Sequence, residues 1–82
     1  MPPYLPKETK LKLNKWKTIM IYNVPKGVKV NWMWGTDSAD GSIKLKASGK
    51  KAKVKVTNAN HSFMMISAEV NGVVYTTNLI VE

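Results

Sequence analysis

Ile43-Lys44-Leu45-Lys46-Ala47-Ser48-Gly49-Lys50-Lys51-Ala52-Lys53-Val54-Lys55-Val56 decides the fold class. On either side of Ser48–Lys51 the apolar residues recur at every second position, which is the period of a half-buried strand and not of a helix. Gly49 lies where the chain must reverse, so the stretch reads as a β-hairpin. If Ile43, Leu45, Val54 and Val56 face a core, Lys44, Lys46, Lys53 and Lys55 emerge together on the opposite face. Two readings of that lysine stripe stand side by side. Lysine on exposed strands deters sheet-to-sheet association. Equally, like charges opposed across strands repel, a cost that an anionic partner would relieve.

The same period runs through the flanks. Upstream, Lys10-Leu11-Lys12-Leu13 alternates, and a turn near Asn14-Lys15 leads into Thr18–Val24, which is rich in β-formers. Beyond the turn Pro25-Lys26-Gly27, Val28, Val30, Trp32 and Trp34 share one face of a third strand, and Gly35–Gly41 is a polar loop. Downstream, Thr57–Ser62 is a loop and Phe63–Val70 a strand. Asn71-Gly72, both tolerant of positive φ, then turns the chain into a last strand, Val73–Val81. Seven short strands about 8–12 residues apart read as an antiparallel sandwich or barrel, and the shared alternation favours a two-sheet β-sandwich with Val30, Trp32, Leu45 and Val54 buried. Thr18–Val24 and Phe63–Met65 are apolar on both faces, which leaves their register open. Either Met20, Tyr22, Phe63 and Met65 form a further face covered by another subunit, or a bulge turns them inward.

Residues 1–9 stand apart from the sandwich of residues 10–82. Pro2, Pro3 and Pro6 favour an extended polyproline II arm that cannot join the centre of a sheet. Tyr4 and Leu5, between Pro3 and Pro6, are apolar anchors, so the arm is expected to dock on a partner subunit instead of on its own sandwich. A frayed terminus is the competing reading.

Composition narrows the function classes. At 82 residues and 44% hydrophobic, the chain is one domain with one thin core. It has no cysteine, which excludes disulfides and thiolate metal sites. The polar, proline-rich start is not a secretory signal, and no apolar run approaches the ~20 residues of a membrane span. With an initial Met, this leads to the expectation of a complete small product made in a cytoplasm, with no membrane partner. All 13 basic residues are lysines, lying between Lys7 and Lys55 against three acids, a local charge of +10; residues 56–82 hold two acids, or −2. That polarity predicts a basic face. The lack of arginine counts against specific phosphate or base recognition.

The residues for catalysis are sparse. His61 is the single histidine and the acids are scattered, so no nucleophile–base–orienter set is predicted, and His61-Ser62 is read as loop. Asp37, Ser38, Asp40 and Ser42 could offer oxygens to Ca²⁺, but lack EF-hand spacing and read as an ordinary turn. The Asn60-His61-Ser62 glycosylation pattern is read as chance. No cofactor or metal is expected.

The order of features then becomes familiar. A lysine-rich first strand precedes Thr18–Val24 and Pro25-Lys26-Gly27. Val30-Asn31-Trp32 follows, and Ser67-Ala68-Glu69-Val70-Asn71-Gly72 leads to the last strand. Over residues 10–82 this resembles the bacterial Ig-like domains found in surface adhesins and in tailed-phage virion proteins. The resemblance implies an Ig-like sandwich that binds and does not catalyse: a capsid decoration, cement or head/tail accessory protein, carried in the virion and seated on a capsid or tail lattice, with homo-oligomer contacts open. The partner-binding candidates are Pro3, Tyr4, Leu5 and Pro6 on the arm, Met20, Tyr22 and Trp34 on the strands, and Lys44, Lys46, Lys53 and Lys55. A small basic barrel binding single-stranded nucleic acid is the first alternative. The lysines and tryptophans are expected on different strands, so at most weak, salt-sensitive, non-specific binding follows. An adhesion or carbohydrate-binding module using Trp16 or Trp34 is the second.

Overall fold

A computed structural model describes all 82 residues. The strands are β1 (Glu8–Leu11), β2 (Lys17–Met20), β3 (Val30–Thr36), β4 (Ile43–Ser48), β5 (Lys51–Val56), β6 (Met64–Val70) and β7 (Val73–Val81). They form a four-stranded sheet in the order β1-β7-β6-β3 and a three-stranded sheet in the order β2-β5-β4. The expected seven-stranded sandwich is therefore present, with no helix. Two tight turns set the register. Asn71 (φ 52°) and Gly72 (φ 79°) both take positive φ between the paired Val70 and Val73, as a type I′ hairpin requires. At Ser48–Lys51 only Gly49 does (φ 61°), which is the type II′ pattern.

The core is the inner faces of the two central strands and what closes over them. Val54 and Val56 on β5 and Ile66 and Ala68 on β6 are fully enclosed, joined by Ile19, Ile21 and Leu79. The buried Thr9 and Thr77 hydroxyls satisfy each other at 2.7 Å, so the core contains no orphaned polar side chain there. Val30 and Val54 are buried as predicted, but Trp32 and Leu45 are half-buried. The reason is topological. β3 and β4 are edge strands on the same side of the sandwich, so their inward side chains seal a rim, not the centre. The Trp32 indole N–H donates to the Gly49 carbonyl at 2.8 Å, tying that rim to the β4–β5 turn of the other sheet.

Two expectations need correction. The strands are not all antiparallel: β1 runs parallel to β7, with Glu8 opposite Asn78 and Leu11 opposite Val81. Nor does the arm leave its own sandwich. Tyr4 and Tyr22 exchange backbone hydrogen bonds (3.2 and 3.0 Å), extending the β2 side, before the chain crosses to the other sheet as β1. Leu5 is buried in the core cluster at 9% exposure, and Pro6, which lacks an N–H, lies at the crossing. The unpaired backbone beyond Met20 and an apolar Leu5 supply the reason for self-docking. The open register also closes without a bulge: Ile19 and Ile21 point inward, and Met20 and Tyr22 outward. Met64 is buried, while Met65 lies on the outer face and Phe63 is exposed.

Deleting residues 2–6 removes the Tyr4 bridge and the buried Leu5, a loss of about 2–3 kcal/mol. In a domain of this size that lowers the melting temperature by roughly 10 °C, and an unchanged melting temperature would contradict the self-docked arm. Trp32→Phe retains most of the packing but loses the bond to Gly49. The expected cost is about 1 kcal/mol, read as a lower urea midpoint at unchanged slope.

Candidate functional site: two outer faces and a loop latch

Because β5 turns Val54 and Val56 inward, Lys51, Lys53 and Lys55 must point outward. The register sets Lys55 opposite Lys44 and Lys53 opposite Lys46, with Lys51 opposite Ser48. On the other flank of β5, Thr18 faces Lys53 and Met20 faces Lys51. The outer face of the three-stranded sheet therefore carries five lysines and, along β2, an apolar row. Trp16 belongs to that row. Its ring lies 4.9 Å from Lys46 Nζ and 5.3 Å from Lys55 Nζ, within cation–π range. The row's other end is the stacked pair Tyr4–Tyr22, with ring centroids 5.0 Å apart. A groove of about 280 Å³ lined by Lys10, Lys12, Lys15, Trp16, Lys17 and Glu82 continues the basic surface past Trp16.

Lysines and tryptophan thus do converge, against the expectation, and they do so at Trp16. Parity was the signal: Thr18 and Met20 of β2 and the flanking Trp16 and Tyr22 alternate at every second position. Trp34 is not part of this face. It pairs with Ile66 on β3, in the other sheet. Of the arm candidates, Tyr4 is exposed on the basic face, Leu5 belongs to the core, Pro3 is half-buried and Pro6 lies exposed beside β1 and β2.

The outer face of the four-stranded sheet has different chemistry. Met33, Ser67 and Thr76 form one row, and Asn31, Glu69 and Val74 another. Across β3, β6 and β7 its only charge is Glu69, which accepts from the Asn31 amide at 3.2 Å. Met33, Val74 and Ile80 are exposed on it. The structure also places Met65 over Gly35, where an added Cβ would come within 3.1 Å of the Met65 side chain.

At one end of the sandwich the β3–β4 and β5–β6 loops are latched together. His61, with its side chain only 2% exposed, places Nδ1 2.6 Å from Asp37 Oδ1 and Nε2 2.9 Å from Ser42 Oγ. Asp37 also accepts from the Ser62 amide (2.9 Å) and hydroxyl (2.7 Å), and Asp40 accepts from the Ser42 amide and hydroxyl. Asp37, His61 and Ser42 stand in the order of a hydrolytic triad. Their setting is structural all the same: Ser42 is buried and its hydroxyl is shared between Asp40 and His61. Both Asp37 oxygens and Asp40 Oδ1 are directed at these protein donors. Nothing in the local sequence foretold the cluster, which forms only when β4, β5 and β6 bring the loops to one end.

The Ser62 amide, followed by the Ser62 hydroxyl and His61, holds the Asp37 carboxyl down to about 2, and the Ser42 hydroxyl is the main cause that lowers Asp40. A carboxylate held below its unfolded value adds stability above pH ~4, and loses it as pH falls through the folded value. Asp37→Asn is expected to lower the melting temperature at pH 7 and to flatten its fall between about pH 4 and 2. An acid profile as steep as that of the wild type would sink the latch.

No family model matches the chain, and no curated protein matches it. Among solved structures it is similar to an IG27 protein domain, at 13% identity over 98% of this chain and 94% of that one, with a TM-score of 0.50. Titin domain I10 aligns over the full length of both chains at 11% identity and a TM-score of 0.49. The order β7-β6-β3 over β2-β5-β4 is also that of the immunoglobulin strands. The likeness to the IG27 domain is one of fold, and the fold is an Ig-like β-sandwich.

Proposed function

We propose that this chain is a non-enzymatic docking module that seats on a larger protein assembly by the outer face of its four-stranded sheet. The observation that carries the reading is that face's chemistry: Met33, Val74 and Ile80 are exposed on it, and across β3, β6 and β7 its single charge is Glu69, with Glu8 and Lys10 confined to its β1 edge. Apolar side chains exposed on an open sheet gain by being covered. In its finer form the assembly is the capsid or tail lattice of a tailed phage and the chain is a decoration or accessory protein of the virion. Support for that form is the resemblance carried by Val30-Asn31-Trp32 and Asn71-Gly72.

The test is to purify particles on a density gradient from a lysate of cells carrying the gene, and to weigh the chain against the major particle protein. The reading expects a fixed ratio of chain to lattice subunit. Met33→Lys with Val74→Lys lowers that ratio at least tenfold while the isolated domain keeps its fold, because a buried unpaired ammonium is costly at an interface. Lys53→Gln leaves it unchanged. Absence of the chain from the particles overturns the virion form.

A further inference from the structure

We propose that the opposite face, the outer surface of β2-β5-β4, binds single-stranded nucleic acid without sequence preference, with bases against the β2 row and phosphates on the lysines of β5 and β4. The inference rests on three features of the geometry and does not depend on the docking reading, which uses the other sheet.

The first is the arrangement of charge. Lys44 faces Lys55 and Lys46 faces Lys53 across the hairpin, so lysines occupy opposed positions with no carboxylate among them. Solvation alone requires lysines on the surface, not in facing pairs, which repel. A strand of phosphates along the hairpin neutralises both members of each pair and releases its own counterions.

The second is the row beside that stripe. Trp16, Met20 and Tyr22 are exposed on the same side of β2, next to the strand that carries Lys51, Lys53 and Lys55. Trp16 and Tyr22 are six residues apart, which spans roughly 20 Å of extended chain, and neighbouring strands lie about 4.8 Å apart. A row with an aromatic ring at each end, Trp16 at one and the stacked Tyr4–Tyr22 pair at the other, beside a cationic stripe suits sequence-tolerant single-strand binding: bases have π-faces to stack on, and the backbone has a charged track. The length suits a footprint of about four nucleotides, the lower end of known site sizes.

The third is the state of the Trp16 ring. Lys46 and Lys55 hold their ammoniums over it at 4.9 and 5.3 Å. The two side chains that would grip phosphate are thus already gathered at the ring that would take a base. Arginine forks are absent, so base edges go unread, consistent with binding that ignores sequence. A duplex hides its base faces in the stack, so the exposed rings of the β2 row have nothing to stack on.

The experiment uses the full chain and fluorescein-labelled dT12 and rU12, followed by anisotropy and by quenching of tryptophan emission. At ~50 mM salt binding is expected for both oligomers, with a log–log salt slope near −3, since single strands contribute about −0.7 for each phosphate neutralised. Trp16→Ala is expected to weaken binding at least tenfold, Trp16→Phe to restore most of it, and Trp34→Ala to leave it unchanged. Lys53→Gln is expected to make the slope shallower by about 0.7. A 12-base-pair duplex should bind more weakly than dT12 at equal salt. Three outcomes overturn the proposal: no binding at low salt, Trp16→Ala indistinguishable from wild type, or heparin and anionic phospholipid vesicles competing as well as oligonucleotide of equal charge. The last would make the face a general anion surface. Met33→Lys with Val74→Lys should not alter oligonucleotide binding, so failure here and failure of the docking reading can be told apart.

Discussion

The alternation of side chains along β5 is the constraint on which the rest of the molecule depends. Val54 and Val56 face inward and, with Ile66 and Ala68 of β6, occupy the fully enclosed middle of the core. At about 25 cal/mol per Å² of apolar surface removed from water, such residues supply most of what a thin domain has to hold it together. A strand that commits every second side chain to a core commits the others to solvent. Lys51, Lys53 and Lys55 are therefore outward because the valines are inward, and the partner strands inherit the same parity through the register. The basic face and the core are one pattern read from two sides.

Edges are the second constraint, because this sandwich has four edge strands, β1, β3, β2 and β4, and only three central ones. On one side Trp32 reaches across from β3 to the β4–β5 turn, closing the rim with an aromatic body and one hydrogen bond. On the other side the chain's own beginning does the work. Tyr4 pairs beyond the end of β2, Leu5 enters the core, and β1 takes the free edge of β7. Residues 4–11 thereby cover open backbone on both sheets, which is how a short domain avoids offering strands to its neighbours.

Most of the fold was legible because its information is local. The hairpin at Ser48–Lys51, the Asn71-Gly72 turn and the parity of β3 to β6 are written in neighbouring residues. What was not legible depends on distance. The parallel β1–β7 ladder joins residues about seventy positions apart, and three prolines before it read naturally as a free arm. Trp32 and Leu45 alternate like core residues, but how deep they lie depends on which strands end up at the edge. The basic face was half visible: Lys44, Lys46, Lys53 and Lys55 were evident from the hairpin. Trp16 joined them only once β2 was set beside β5. The His61 latch left no trace at all, since Asp37, Ser42 and His61 share no local pattern.

The β1–β7 pairing has a kinetic side. Glu8 finds Asn78 and Leu11 finds Val81, so β1 waits for a strand made about seventy residues later. Closing so long a loop brings little reward until the intervening strands are in place, which puts this domain among the slow, non-local folders. On a ribosome, β2 to β6 can assemble while β1 remains unpaired. Until β7 emerges, the nascent chain exposes the Thr9 and Leu11 side that β7 will later cover. The ladder that finishes the sandwich is thus also the step that ends its vulnerability to aggregation.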